Sequence, residues 1–225
     1  MRGSGGLRPT RISTRPRGGR AVGLAAALLA ALVLGGLWLW PRPPSPPPAG
    51  DPSRDLIVFL GDSITAGYTL PREQAFPHLV GEALGVPVRN AGVNGDTTAG
   101  ALARLQADVL AWRPRVVVVE LGANDFFRRL PVAGTLANLE AIVRRVRQDG
   151  AAAVLVHIRL GLLADPYLEG YRELARREGA LLVEDFLGEI PRTPGLTLDG
   201  LHPSAEGHRR LADRLLPTLR KLLAG

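Results

Sequence analysis

The chain has 225 residues, 46% hydrophobic and 22% charged, enough for one sizeable core and hardly two. Its formal charge of +7 sits at one end: residues 1–20 hold six arginines and no acid, whereas residues 55–225 carry 20 basic and 20 acidic side chains. A folded part of zero net charge excludes a basic nucleic-acid binder, and the absence of cysteine excludes disulfides, a thiol nucleophile, a thiolate metal site and a lipid-modified cysteine.

Residues 1–20 read as a basic arm. Residues 21–40 (AVGLAAALLAALVLGGLWLW) contain no charge, and as a helix they would be about 30 Å long, the thickness of a bilayer's hydrocarbon core. Trp38 and Trp40 stand at the far end, where aromatic rings favour the headgroup region. The arginines at the near end put that side in the cytoplasm. A cleaved signal peptide is the alternative, but its apolar stretch usually runs 7–15 residues to a small-residue site, and this one ends in Trp-Leu-Trp-Pro. The expectation is a single-pass signal anchor, cytoplasmic at its N-terminus, in a bacterial cell membrane. Residues 41–54 follow as a linker: 41–52 contain seven prolines in twelve residues, a polyproline spacer of about 35–40 Å.

From residue 55 onward, strand and helix signals alternate. The apolar runs 56–60, 116–121 and 153–158 read as strands buried on both faces, with 86–90 and 181–183 as weaker candidates. Helical segments are predicted over 74–84, 98–112, 135–149, 167–178 and 204–223, several ending at a glycine and the last following Pro203. Such alternation predicts an α/β domain over 55–225, a parallel sheet of about five strands with helices on both faces. Sites in such sheets form outside the carboxyl ends of the strands.

Polar residues gather at those ends. Gly61-Asp62-Ser63 follows the first strand, and Ser63 is read either as a helix N-cap or as an exposed nucleophile. Asn94-Gly95-Asp96-Thr97 follows the second, a turn in which Asp96 or Thr97 could cap the next helix and Gly95 offers an uncrowded N–H. Gly122-Ala123-Asn124-Asp125 follows the third, where the Asn124 amide could aim an N–H at a developing oxyanion or simply form a turn. Near the C-terminus, Asp199 and His202 stand three apart across a glycine-containing turn, a spacing that lets a carboxylate hold Nδ1–H and leave Nε2 as a base. His78, His157 and His208 lack that context and read as packing or surface residues. No grouping has metal-ligand spacing.

Together these residues form the set required for acyl transfer through a serine ester. The sequence resembles the SGNH/GDSL hydrolase family, with blocks at Gly61-Asp62-Ser63, Gly95, Gly122-x-Asn124-Asp125 and Asp199-x-x-His202. Within it, the strings LGDSITAGY, GDTT, VELGAND and Ile158-Arg159 are most similar to the bacterial secreted acyl-thioesterase, lysophospholipase and arylesterase branch. The segment after Arg159 (LGLLADP) departs from that branch's usual loop. The resemblance implies a three-layer flavodoxin-like fold and cofactor-free hydrolysis of esters or thioesters. It assigns the nucleophile to Ser63, the acid–base pair to Asp199 and His202, and the oxyanion donors to Ser63 N–H, Gly95 and Asn124. Ile64, Phe126, Leu160 and Leu162 are expected as pocket walls. The expected partners are a small-molecule or lipid acyl ester and, through 21–40, the membrane, with no nucleic acid and a monomeric chain. A carbohydrate or peptidoglycan O-acetylesterase and a non-catalytic envelope binding module are the alternative functions.

Overall fold

The computed structural model describes residues 50–160 and 165–224. The anchor over 21–40, the basic arm, most of the proline linker and Leu162 lie outside the described residues. No helix among the described residues is long and apolar enough to cross a membrane.

Five strands form one parallel sheet: β1 (Ile57–Gly61), β2 (Val88–Gly92), β3 (Val116–Glu120), β4 (Ala152–Val156) and β5 (Leu181–Val183), in the order β2-β1-β3-β4-β5. Ile57 pairs in register with Val88 on one side and Val116 on the other, Val116 with Ala152, and Val154 with Leu181. Every position of β1, β3 and β4 is buried, as expected of parallel strands covered on both faces. This is the flavodoxin-like strand order.

Among the described residues seven α-helices accompany the sheet: α1 (Ser63–Ala66), α2 (Phe76–Leu84), α3 (Thr98–Asp108), α4 (Ala123–Phe127), α5 (Val132–Gln148), α6 (Leu168–Glu178) and α7 (Ala205–Leu223). Helix α2 packs on α7, while α3 packs on α5 and α5 on α6. Crossovers between parallel strands are right-handed as a rule, which sets these two groups on opposite faces of the sheet.

Element boundaries shift for identifiable reasons. The strand expected at 86–90 begins at Val88, because Gly85 closes α2 in the left-handed region (φ 65°) and the Val86 N–H returns to the Gly81 carbonyl, a C-terminal capping turn that uses those residues. The helix expected over 98–112 stops at Asp108, followed by a 3₁₀ turn over Leu110–Trp112. Helix α5 starts three residues early, at Val132 behind Pro131. Thr97 caps α3 by accepting from the Gly100 N–H, and Ser204 caps α7 by accepting from Gly207.

Candidate active site

The strand order reverses between β1 and β3, so the crevice at their carboxyl ends is where this fold type places its site. β1 ends on Gly61. A Cβ there would fall 2.0 Å from Thr65 Oγ1 and 2.8 Å from the Glu120 carbonyl oxygen, so only glycine lets α1 fold back against the strand end. Asp62, not Ser63, caps α1: its carboxylate accepts from the Ile64 N–H at 3.0 Å. Ser63 becomes the first helical residue, and its hydroxyl is released from capping.

That hydroxyl meets His202. His202 Nε2 lies 3.0 Å from Ser63 Oγ, and His202 Nδ1 lies 2.7 Å from Asp199 Oδ2. Asp199 Oδ1 also accepts the backbone N–H groups of His202 (2.8 Å) and Leu201 (3.0 Å). These bonds, the His202 backbone N–H foremost, hold the Asp199 carboxyl down at about 2, so it is ionised at neutral pH. A carboxylate at Nδ1 selects the Nδ1–H tautomer and turns the Nε2 lone pair towards the serine. The loop carrying both residues is tied by the Leu198 N–H to the His202 carbonyl (2.8 Å) and by a bridge between Thr197 and Pro203. The Tyr68 ring stacks on the imidazole, centroids 3.8 Å apart and planes 14° apart.

Asn124 sits in α4, directly after Gly122, whose φ of 111° admits the sharp exit from β3. Its Nδ2 donates to Asp62 Oδ2 at 2.9 Å, leaving the second amide hydrogen for the cavity. Gly95 lines the same cavity in a left-handed conformation (φ 73°), and its carbonyl accepts from Arg128 at 2.7 Å. The cavity measures about 260 Å³ and brings Ser63, His202, Gly95 and Asn124 together with Ile64, Phe127 and Leu201. Among the described residues no cluster of three or more His, Asp or Glu could hold a metal ion.

The sequence profile of the GDSL-like lipase/acylhydrolase family matches residues 59–210. The chain belongs to this family. It is similar to an arylesterase of Vibrio mimicus, with 32% identity over 78% of this chain and 93% of that one. It is also similar to the esterase TesA of Pseudomonas aeruginosa, with 35% identity over 74% and 89%. A solved crystal structure of TesA superposes with a TM-score of 0.69 at 35% identity, covering 74% of this chain and all but 1% of that one. The chain is therefore a GDSL-type esterase.

Two expected pocket walls of this GDSL-type enzyme lie elsewhere. Phe127, not Phe126, lines the cavity. Phe126 is half-buried and packs edge-on against Tyr167 at 6.3 Å, because one residue along a helix turns a side chain by about 100°. Leu160 is buried in the core, its N–H donating to Asp165. Ile64 does line the cavity.

Other members of the site escaped sequence reasoning. Tyr68 stood in the Ala-Gly-Tyr string with nothing to mark its partner, and Leu201 passed as a spacer between Asp199 and His202. Asp62 read as part of a motif, yet it is 1% exposed, and burial raises its carboxyl to about 6 against the opposing pull of its hydrogen bonds. Glu120 stood unremarked within the apolar run 116–121, yet it is a fully buried acid beside Asp62. Asp125, beside Asn124, is structural: it accepts the Thr98 N–H (2.9 Å), the Thr98 hydroxyl (2.6 Å) and the Thr135 hydroxyl (3.2 Å), tying α3 and α5 to α4. His208 is buried in α7 and His157 lies just past β4 with Nε2 2.9 Å from Asp165.

Proposed function

We propose that this chain hydrolyses acyl esters or thioesters through a Ser63–His202–Asp199 triad and an acyl-enzyme. The observation that carries this reading is the unbroken hydrogen-bonded relay from Asp199 through the imidazole to Ser63 Oγ, opening into a cavity beside the Asn124 amide and Gly95. Ser63 Oγ attacks the acyl carbonyl while His202 Nε2 takes its proton. The carbonyl oxygen, now negative, is held by the N–H of Ser63, which is free by its position at a helix start, and by Gly95 N–H and Asn124 Nδ2. His202 then returns the proton to the departing alcohol or thiol. Water, deprotonated by the same imidazole, cleaves the acyl-enzyme.

A second observation favours an acyl chain over the acetyl group of a glycan. Among the described residues, the exposed large apolar side chains are Val93, Trp112, Phe127, Leu130, Leu198 and Leu201. Of these, Phe127 and Leu201 line the cavity, and Val93, Leu130 and Leu198 stand within three residues of one that does, a grouping that suits an apolar ligand.

Full-length protein should cleave p-nitrophenyl butyrate, and Ser63→Ala should abolish turnover while leaving circular dichroism unchanged. Unchanged turnover in that variant sinks the triad. Acetate release from acetylated glycan with no turnover of eight-carbon acyl esters would replace the acyl reading with the O-acetylesterase one. Failure of a fluorophosphonate to label Ser63 would point to a non-catalytic binding module.

We further infer that residues 21–40 anchor the enzyme with residues 1–20 in the cytoplasm and the hydrolase domain outside, spaced by residues 41–54. Protease added to spheroplasts should digest the hydrolase domain and spare the arm. A soluble product lacking residues 1–40 in the medium would mean signal cleavage and secretion instead.

A further inference from the structure

Glu120 ends β3 with no exposed surface, paired in register with Gly61 at the end of β1. Its Oε2 accepts the Thr65 hydroxyl at 2.7 Å, while Oε1 is buried with no hydrogen-bond donor among the described residues. Its neighbour is a second buried acid. The two oxygens of Asp62 each accept an N–H, from Ile64 at 3.0 Å and from Asn124 at 2.9 Å.

Among the described residues no cationic side chain bonds to either carboxyl. Tyr171 of α6 spends its hydroxyl on the Leu121 carbonyl at 2.6 Å, and Asp125 of α4 is occupied by Thr98 and Thr135. Arg104 of α3 reaches only the Gly61 carbonyl and is paired with Asp96 and Asp108. His202, whose charge favours the ionised form of Asp62, is held by Asp199. Two carboxylates cannot both ionise in such a place, so the pair keeps one proton. The hydrogen-bond inventory decides where it rests. Each Asp62 oxygen accepts an N–H, which suits a carboxylate, whereas Glu120 takes the Thr65 hydroxyl on Oε2 and keeps Oε1 bare, the place for a hydrogen.

We propose that Glu120 is a carboxylic acid kept protonated throughout the reaction, a positioning residue that donates its O–H to Asp62 and, through Asp62, fixes the Asn124 amide in its oxyanion-binding orientation. Burial, and then the charge of Asp62, drive the Glu120 carboxyl well above the ordinary carboxylate range, in keeping with this assignment. The arrangement places a single negative charge behind Asn124. That charge grips one amide hydrogen while the other faces the substrate. A second carboxylate at Glu120 would repel both Asp62 and the developing oxyanion.

The positioning role rests on the esterase reading, but the protonation state does not, and the experiment separates them. Full-length wild type, Glu120→Gln and Glu120→Ala are compared by infrared spectroscopy well above neutral pH and by steady-state kinetics on p-nitrophenyl butyrate. Wild type should show the carbonyl band of a buried protonated carboxyl, absent from Glu120→Gln. The glutamine keeps a donor towards Asp62 and an acceptor for Thr65, so its kcat should stay within about threefold of wild type. Glu120→Ala should lose about 10- to 100-fold in kcat with KM changed less than about twofold, the mark of a lost transition-state contact. A wild-type spectrum without the band, or Glu120→Gln falling as far as Glu120→Ala, overturns the proposal. Should Glu120→Ala not fold, the band and the Glu120→Gln kinetics decide. A wild type that turns over no ester removes the esterase reading, and the band alone then tests Glu120.

Discussion

Replacing His208 by Asn should change how the fold responds to acid. His208 is 1% exposed on α7, and its Nδ1 accepts the Phe76 N–H at 3.2 Å, so the neutral ring joins α7 to the start of α2. Burial lowers its pKa from 6.5 to about 4. Between those values the unfolded chain binds a proton that the folded chain refuses. The contribution of His208 to stability is therefore complete above about pH 6.5 and declines as the pH falls towards 4. A displacement of that size weakens the fold by about 2 kcal/mol between pH 7 and pH 5, rising to about 3 kcal/mol below pH 4. Asparagine keeps an acceptor near the position of Nδ1 but cannot titrate. Urea unfolding at pH 7 and pH 5 is the assay. The loss on acidification should be smaller in His208→Asn by about 2 kcal/mol, while the raised Asp62 carboxyl, which pulls in the opposite direction, is common to both proteins. Equal losses in the two would refute the buried-neutral imidazole.

Three further outcomes are expected. Asn124→Ala should lower kcat by about 10²- to 10³-fold, the effect of removing one oxyanion donor, with KM from the same kinetics nearly unchanged. Tyr68→Ala, which removes the ring stacked at 3.8 Å on His202, should cost about 2- to 10-fold in kcat/KM, and Tyr68→Phe should restore it. Gly61→Ala forces a methyl to within 2.0 Å of Thr65 Oγ1 and should destabilise by about 1–3 kcal/mol, seen as a lower Tm by calorimetry.

The sheet's interior was legible in the sequence because β1, β3 and β4 are buried along their whole length and so must be apolar throughout. The edge strand β2 was blurred for the opposite reason, since only Ala91 is buried within it. Ser63, Asp199 and His202 could be read because acid–base chemistry limits which residue types stand at strand ends. Tyr68, Glu120 and Phe127 could not. The partner of Tyr68 lies far along the chain, and the protonation of Glu120 depends on which acid packs beside it. The choice between Phe126 and Phe127 depends on where a one-turn helix begins, and Gly122 sets that start through its backbone angle.

Ser63 and the imidazole that meets it are 139 residues apart, and His202 stands only two residues before the cap of the final helix. A growing polypeptide thus finishes all five strands before the groups at its reactive edge can meet. That meeting waits for α7 to settle on α2, a contact between distant parts of the chain. A product ending between residues 184 and 201 would keep all five strands and lack His202. Hydrolysis would then begin only once His202 has been made and seated, and a nascent chain lacking it would leave nearby acyl esters intact.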